Sequence, residues 1–166
     1  VDWDDVARIS SLLRAQLILH RNIKRYGLDA KFKPETLAKL SADRLNTLAR
    51  NLSIKKAFLG LAHIFNREGI KVIPLKGISM MLDTYLDEAL RPMEDMDILV
   101  DRRYIGNALA IFKDAGYDTD RAIHDITRPN RNHAYVLFNS NMANVDLHHR
   151  LCPWYEERYI YKIDTV

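Results

Sequence analysis

Positions 94–100 read EDMDILV, in which Asp95 and Asp97 alternate with the apolar residues Met96, Ile98 and Val100. The apolar residues at even positions fall on one face of a strand, and Asp95 and Asp97 fall on the other face. This pattern predicts a β-strand with one buried side and one open side. Because side chains two positions apart point the same way, the two carboxylates lie roughly 7 Å apart along the strand.

The paired aspartates need partners. Burial of an unpaired carboxylate is costly, and neighbouring anions repel each other, so the pair requires water, basic side chains or a cation. Hard oxygen ligands suit Mg²⁺ or Mn²⁺, which complete their shells with water and with substrate phosphate oxygens. We therefore predict Asp95 and Asp97 as metal ligands, against the alternative of two solvated charges on an open strand face.

A third carboxylate lies in a second predicted strand, at residues 144–149, which forms a hairpin with a strand at residues 133–138. The apolar residues of the second strand face inward, which places Asp146 and His148 together on the opposite face. If this strand adjoins the first, three aspartates converge on two metal ions about 4 Å apart, as in-line phosphoryl transfer requires. Asp146 then ligates metal and takes, or favours loss of, the proton of an attacking hydroxyl. The predicted catalytic and metal-binding residues are Asp95, Asp97 and Asp146.

Two further candidates each have two interpretations. His148 binds metal, orients a phosphate or acts on the acceptor, or it is a structural histidine with satisfied hydrogen bonds. Arg91 clamps a phosphate, or it pairs with Asp95 or Asp97 as a structural ion bridge.

A turn upstream of the paired aspartates has the composition of a phosphate-binding segment. A short apolar run at residues 72–75 predicts a strand, and a helix is predicted over residues 78–86. Lys76, Gly77 and Ser79 lie at this junction, where backbone amides, a hydroxyl and a helix N-terminus can meet phosphates. The alternative is ordinary turn chemistry at the end of a strand.

The remaining elements predict an α+β protein. Helical periodicity covers residues 4–26, and Gly27 ends that helix. A short helix begins at Pro34, and Ser41 or Asp43 caps a longer one that ends at Gly69. A further helix, capped by Asp101, ends at Gly116. We predict a helical segment at 1–69 packed on an α/β core at 70–166, together forming one compact domain or a piece of a longer chain.

Bulk properties limit the function classes. The chain has 166 residues, a net charge of +3 and one cysteine, Cys152. The charge excess does not indicate a nucleic-acid partner, although it is compatible with a phosphate-bearing ligand. With no long apolar run and no secretion signal in the sequence, we predict a cytoplasmic protein without a membrane partner.

The motifs resemble those of the uncharacterised bacterial nucleotidyltransferase family, within the DNA polymerase β-like superfamily. The resemblance covers residues 70–151 and rests on Leu75-Lys76-Gly77, Arg91, the stretch from Asp95 to Val100, and Val145-Asp146-Leu147-His148. It implies a small mixed sheet flanked by helices, a glycine-containing turn for a triphosphate, two metal-binding aspartates on one strand and a third on a neighbouring strand. It also implies transfer of a nucleoside monophosphate with release of pyrophosphate.

Three functions follow as hypotheses. The first is a metal-dependent nucleotidyltransferase whose substrates are a nucleoside triphosphate and an unknown acceptor, a small molecule or a protein. In this function Lys76, Gly77, Ser79, Arg91 and His148 bind the nucleotide. The second is an inactive nucleotide-binding or partner-binding module, which is favoured by Lys76-Gly77 standing where the superfamily usually has Gly-Ser. The third is a nucleotide-sugar glycosyltransferase, which the third aspartate disfavours.

Overall fold

A computed structural model of the chain describes residues 1–85, 87–119 and 134–151. Its helices are α1 (Trp3–Leu12), α2 (Gln16–Tyr26), α3 (Pro34–Arg67), α4 (Lys76–Asp83) and α5 (Ile105–Asp114), with 3₁₀ turns at Asp29–Lys31 and Arg102–Tyr104. Its strands are β1 (Val72–Pro74), β2 (Asp95–Val100), β3 (Asp118–Thr119), β4 (Ala134–Phe138) and β5 (Asn144–His148). Helices followed by a sheet with intervening helices confirm the α+β class.

The strands form one mixed sheet of five strands, in the order β1-β2-β5-β4-β3. Strands β2 and β5 are parallel, and the other neighbouring pairs are antiparallel. The predicted hairpin is confirmed by the pairing of β4 with β5. The predicted neighbourhood of the two aspartate-bearing strands is also confirmed, because β5 lies directly beside β2.

The chain divides into two compact units. The first comprises Val1–Ser53 and Met81–Met93, and the second comprises Ile54–Met80 and Glu94–Val166 as far as it is described. Helix α3 therefore contributes residues to both units. The prediction that residues 1–69 pack on a core at 70–166 stays a prediction.

The first unit has its own apolar core. Ala7, Ile23, Phe32 and Leu40 are buried together, and the ring of Trp3 meets that of Phe32 edge-on at 5.3 Å between centroids. Burial of each large apolar side chain contributes about 1.5–3 kcal/mol. The periodic pattern over residues 4–26 predicted the buried face of α2, where Leu17 and His20 are buried, but not that of α1, where Ile9 is 47% exposed and Ala7 is buried instead.

Two predictions about the N-terminal helices were wrong. The helix predicted over residues 4–26 is broken after Leu12, where Arg14 adopts a left-handed φ of 54° and Ala15 donates to the carbonyl of Ser10. Likewise, neither Ser41 nor Asp43 begins a helix, because α3 runs without interruption through both positions. The Ser41 hydroxyl lies 3.2 Å from Nε2 of His20, so its polar group serves a tertiary contact rather than a cap.

The second unit buries one face of the sheet, here called the back face. It carries the even-numbered residues of β2 together with Val145 and Leu147 of β5, all of them buried. The aromatic rings of Phe65, Phe112 and Tyr117 follow one another at 5.4 Å between centroids within this unit. The opposite face, here called the front face, carries Asp95, Asp97 and Leu99 of β2 and Asp146 and His148 of β5.

The predicted helix ends at Gly27, Gly69 and Gly116 are confirmed. All three glycines have left-handed φ values, of 63°, 68° and 81°, which follow the last turns of α2, α3 and α5. Side chains with a Cβ rarely adopt this conformation, so glycine suits these positions. None of the described helices is long and apolar enough to cross a lipid bilayer.

Candidate active site

The register of β2 and β5 assembles the polar group of the front face. Asp97 lies opposite Asp146, and Leu99 lies opposite His148. Since side chains two apart on a strand share a face, Asp97, Asp146 and His148 converge. One ligand atom from each of the three lies within 4.8 Å of the others. These three residues, here called the carboxylate–histidine group, can hold a metal ion.

Asp97 is the centre of this group, and the structure differs from the prediction of an open strand side. Asp97 is only 4% exposed, whereas Asp95 at the start of the strand is exposed. The buried Oδ1 of Asp97 accepts hydrogen bonds from Nζ of Lys76 at 2.5 Å and from Nε2 of His148 at 2.9 Å. These two donors offset the cost of burying the charge, which the alternation in the sequence does not reveal.

The charged form of Asp146 is less favoured than that of an exposed aspartate. Burial raises its pKa, and the nearby charges of Asp97 and Asp95 raise it further. His148 and Lys76 act in the opposite direction without cancelling the effect. Asp95, Asp97 and Asp146 carry three formal negative charges, and the ammonium of Lys76 balances one of them, so these four side chains have a formal excess of two negative charges. A divalent cation matches that excess, and the oxygen-rich donor set suits Mg²⁺ or Mn²⁺.

Asp95 stands at the edge of this arrangement. It is exposed and lies outside the carboxylate–histidine group, yet its charge acts on both Asp146 and Lys76. Of the three aspartates predicted to converge, Asp97 and Asp146 are in the group and Asp95 borders it. The role of Asp95 as a ligand stays a prediction.

Lys76 connects the predicted phosphate turn to Asp97. It is the first residue of α4, which begins earlier than the predicted helix over residues 78–86, and its φ is 46°. A left-handed conformation at a residue with a Cβ costs on the order of 1–2 kcal/mol, and such strain is common at functional sites. The amide of Leu75 donates to the carbonyl of Asp97 at 2.9 Å, which ties the turn to β2. The hydrogen bond from Lys76 to Asp97 raises the pKa of Lys76, so the ammonium stays charged.

Gly77 and Ser79 occupy the first turn of α4, as expected for a segment that meets phosphates. Both are half-buried, and the amide of Ser79 donates to the carbonyl of Leu75 at 3.4 Å. Arg91 belongs to the first unit, and its carbonyl accepts from the amide of Asn51 at 2.7 Å. The binding roles predicted for these three residues stay predictions.

Sequence reasoning missed the ion pair between Lys76 and Asp97. The pair depends on the register of β1 against β2, which places Pro74 opposite Ile98. No local pattern in the sequence specifies that register, although a lysine just after a predicted strand was a signal that a charge lies near the strand end. The polar loop contains further candidate ligand contacts, and the C-terminal segment contains aromatic residues that the sequence predicts to pack. All of these lie outside the described residues, as does Cys152: His124, Arg128, Arg131, His133, Trp154, Tyr155, Tyr159 and Tyr161.

Comparison with known proteins agrees with this geometry. A family model described as an uncharacterised nucleotidyltransferase matches residues 1–165.

The chain belongs to this nucleotidyltransferase family. Membership confirms the resemblance and extends it, since the match covers the N-terminal helices as well as the sheet. No curated protein and no solved structure matched the chain.

Proposed function

We propose that the protein is a metal-dependent nucleotidyltransferase that transfers a nucleoside monophosphate from a nucleoside triphosphate to an acceptor hydroxyl. One observation carries the proposal: in a chain of this family, Asp97, Asp146 and His148 bring ligand atoms within 4.8 Å of one another on adjoining parallel strands. A hydroxyl oxygen of the acceptor bonds to the α-phosphorus. The bond from that phosphorus to the bridging oxygen breaks, and pyrophosphate leaves with the electron pair.

The carboxylates supply the binding site for cations. Asp97 and Asp146 would hold a cation directly, Asp95 would add a further carboxylate, and His148 holds Asp97 in position through its Nε2–H. Divalent ions bound there supply charge neutralisation for the triphosphate and the departing pyrophosphate.

Asp146 accepts the proton of the attacking hydroxyl. In the metal-free protein its pKa is raised by burial and by the neighbouring carboxylates, and a bound cation would favour transfer of the proton by lowering the pKa of a coordinated hydroxyl. The partial exposure of its side chain leaves room for an acceptor to approach.

Lys76 changes partners during binding. Without nucleotide its ammonium neutralises Asp97, and its side chain is 60% exposed. With Asp97 neutralised by a cation, Lys76 would be able to contact the β- and γ-phosphates, beside the amides of the first turn of α4. Gly77 and Ser79 complete the phosphate contacts in this proposal, and phosphate binding by Arg91 stays a prediction from the sequence.

A second candidate function is nucleotide binding without turnover. The specific observation in its favour is that Lys76-Gly77 stands in place of the usual Gly-Ser and that Lys76 already forms an ion pair with Asp97. In that function the ammonium holds the site without catalysis.

Pyrophosphate release tests the proposal. The protein is incubated with each nucleoside triphosphate and Mg²⁺ or Mn²⁺, and release is measured alone and with pools of hydroxyl acceptors. We expect release with the wild type and a loss of about 100-fold or more in Asp97→Asn, because a ligand oxygen is replaced by a neutral amide.

Asp114→Asn is the matched control. Asp114 is an exposed aspartate at the end of α5, outside the carboxylate–histidine group, so its variant should keep full activity. Nucleotide binding without pyrophosphate release under any condition would support the binding module instead.

A further inference from the structure

A second feature of the front face is a cavity of about 670 Å³ at the end of the sheet where β2 and β5 finish. Leu99 lines it, and this residue is two positions past Asp97 on the same face and lies opposite His148. The cavity therefore begins roughly 7 Å along the strand from the central ligand of the carboxylate–histidine group. Its volume suits a small molecule.

The walls of the cavity carry positive charge. The basic residues that line it are Lys71, Arg102, Arg103 and Arg150. The acidic residue on the wall is Asp101, whose Oδ2 accepts from Nε and Nη2 of Arg103 at 3.1 and 2.7 Å. That pair contributes little net charge. The exposed side chains of Lys71 and Arg102 are left to face the cavity, so the cavity complements an anion.

Apolar surface accompanies the charge. Ile73 and Leu99 face each other across β1 and β2, and Ile73 is 54% exposed although it lies in a strand. Tyr104 adds an aromatic ring that is 37% exposed, with the guanidinium of Arg103 5.7 Å from its centroid. A ligand with an anionic group and a carbon skeleton matches both parts of the wall.

The cavity and the phosphate turn lie toward opposite ends of β2. Lys76 reaches Asp97 from the turn tied to the start of that strand, whereas the cavity lies beyond Leu99 at the strand's end. In-line transfer requires the acceptor to approach from the side opposite to the departing pyrophosphate. A nucleoside base carries no charge that would need Lys71 and Arg102.

We propose that this cavity binds the acceptor, and that the acceptor is a small hydroxyl compound bearing an oxyanion, a phosphate or a carboxylate. The proposal rests on the proposed function for the identity of the reaction. Lys71 and Arg102 hold the oxyanion, while Ile73, Leu99 and Tyr104 contact the carbon skeleton. The hydroxyl of the compound then points along the front face toward Asp146.

Methyl NMR tests the binding site without any requirement for turnover. Protein labelled at isoleucine and leucine methyls is titrated, in the absence of metal and nucleotide, with phenyl phosphate, benzoate and benzyl alcohol. We expect the methyl signals of Ile73 and Leu99 to shift with at least one of the two anions and not with the neutral alcohol. Which anion binds more tightly distinguishes a phosphate-bearing acceptor from a carboxylate-bearing one.

A charge-matched pair of double variants completes the experiment. The double variant Lys71→Gln, Arg102→Gln should bind the anion at least tenfold more weakly than the wild type. The control double variant, Lys56→Gln with Lys113→Gln, changes two exposed lysines on α3 and α5 and should bind the anion with unchanged affinity. The proposal is overturned if benzyl alcohol binds as tightly as the anions, if neither the Ile73 nor the Leu99 methyl signals shift, or if the two double variants bind the anion with equal affinity.

Nucleotide affinity separates this proposal from the proposed function. We expect the Lys71→Gln, Arg102→Gln variant to bind nucleoside triphosphate as the wild type does. A tenfold loss of triphosphate affinity would show that the cavity belongs to the nucleotide and would overturn the assignment to the acceptor. Failure of pyrophosphate release with intact anion binding would instead count against the proposed function alone.

Discussion

Asn51 in the first unit and Asp97 in the second are both buried polar side chains, 1% and 4% exposed. The amide nitrogen of Asn51 donates to the carbonyls of Glu88 and Arg91, and its Oδ1 accepts from the amide of Met93 at 3.3 Å. The partners of Asp97 are instead the side chains of Lys76 and His148.

The type of hydrogen-bond partner distinguishes a residue that stabilises the fold, Asn51, from a candidate functional residue, Asp97. Backbone partners cannot leave without unfolding the segment that carries them, so Asn51 holds the stretch from Glu88 to Met93 in one conformation. Side-chain partners can be exchanged for a cation or a phosphate at little cost to the fold. Asp97 also has a like charge nearby in Asp146, which a structural position avoids.

The largest effect on stability is expected at Asn51. Asn51→Leu leaves two carbonyls and one amide without their partner, so the free energy of unfolding should fall by about 2–3 kcal/mol. Urea denaturation followed by circular dichroism measures it. The control Asn66→Leu places the same change at an exposed position of α3 and should alter stability by less than about 0.5 kcal/mol. Equal effects of the two variants would remove the structural role of Asn51.

Asp87, in the first unit, should stabilise the protein at neutral pH and less so in acid, as a hydrogen-bonded carboxylate does. Burial raises the pKa of Asp87, but hydrogen bonds from Arg44 and from the amide of Ala89 outweigh burial, and the net pKa is lowered. Its contribution is therefore complete above the unfolded value near 3.8 and is lost as the pH falls through the lowered folded value. Asp87→Asn should cost about 1 kcal/mol at pH 7 and less in acid. A constant cost from pH 7 to pH 3.5 would contradict this assignment.

The effect of pH on the stability contributed by Asp146, in the second unit, should have the opposite sign to that of Asp87. The folded pKa of Asp146 is raised, so the folded state holds that proton more tightly, and stability declines as the pH rises from about 3.8 through the raised value. Without metal, Asp146→Asn should therefore stabilise the protein at pH 7, by about 0.5 kcal/mol for a partly exposed position. Thermal unfolding in a chelator measures the change. Destabilisation at pH 7 would place Asp146 with Asp87 among the structural carboxylates.

Much of the site could be predicted because strands have a period of two. The alternation around Asp95 and Asp97, and the apolar neighbours of Asp146, located both strands and the face that each polar residue occupies. The turn-rich segment before β5 predicted the hairpin. These are local signals, and local signals also located the ends of α2, α3 and α5.

What could not be predicted depends on tertiary contacts. The interruption at Arg14 and the continuity of α3 through Ser41 run against local capping preferences, and in the case of Ser41 a contact with His20 accompanies the difference. The burial of Asp97 depends on Lys76, which reaches it because β1 pairs with β2. The cavity beside Leu99 likewise combines residues from three separate strand ends.

The central claim is that Asp97 and Asp146 hold a divalent ion together. Mn²⁺ titration followed by electron paramagnetic resonance measures this directly in the wild type and in Asp97→Asn, Asp146→Asn and the exposed control Asp114→Asn. We predict that Asp97→Asn and Asp146→Asn each bind Mn²⁺ at least tenfold more weakly than the wild type and that both remain folded by circular dichroism. Asp114→Asn should bind Mn²⁺ with wild-type affinity. Wild-type Mn²⁺ affinity in either Asp97→Asn or Asp146→Asn would contradict the account.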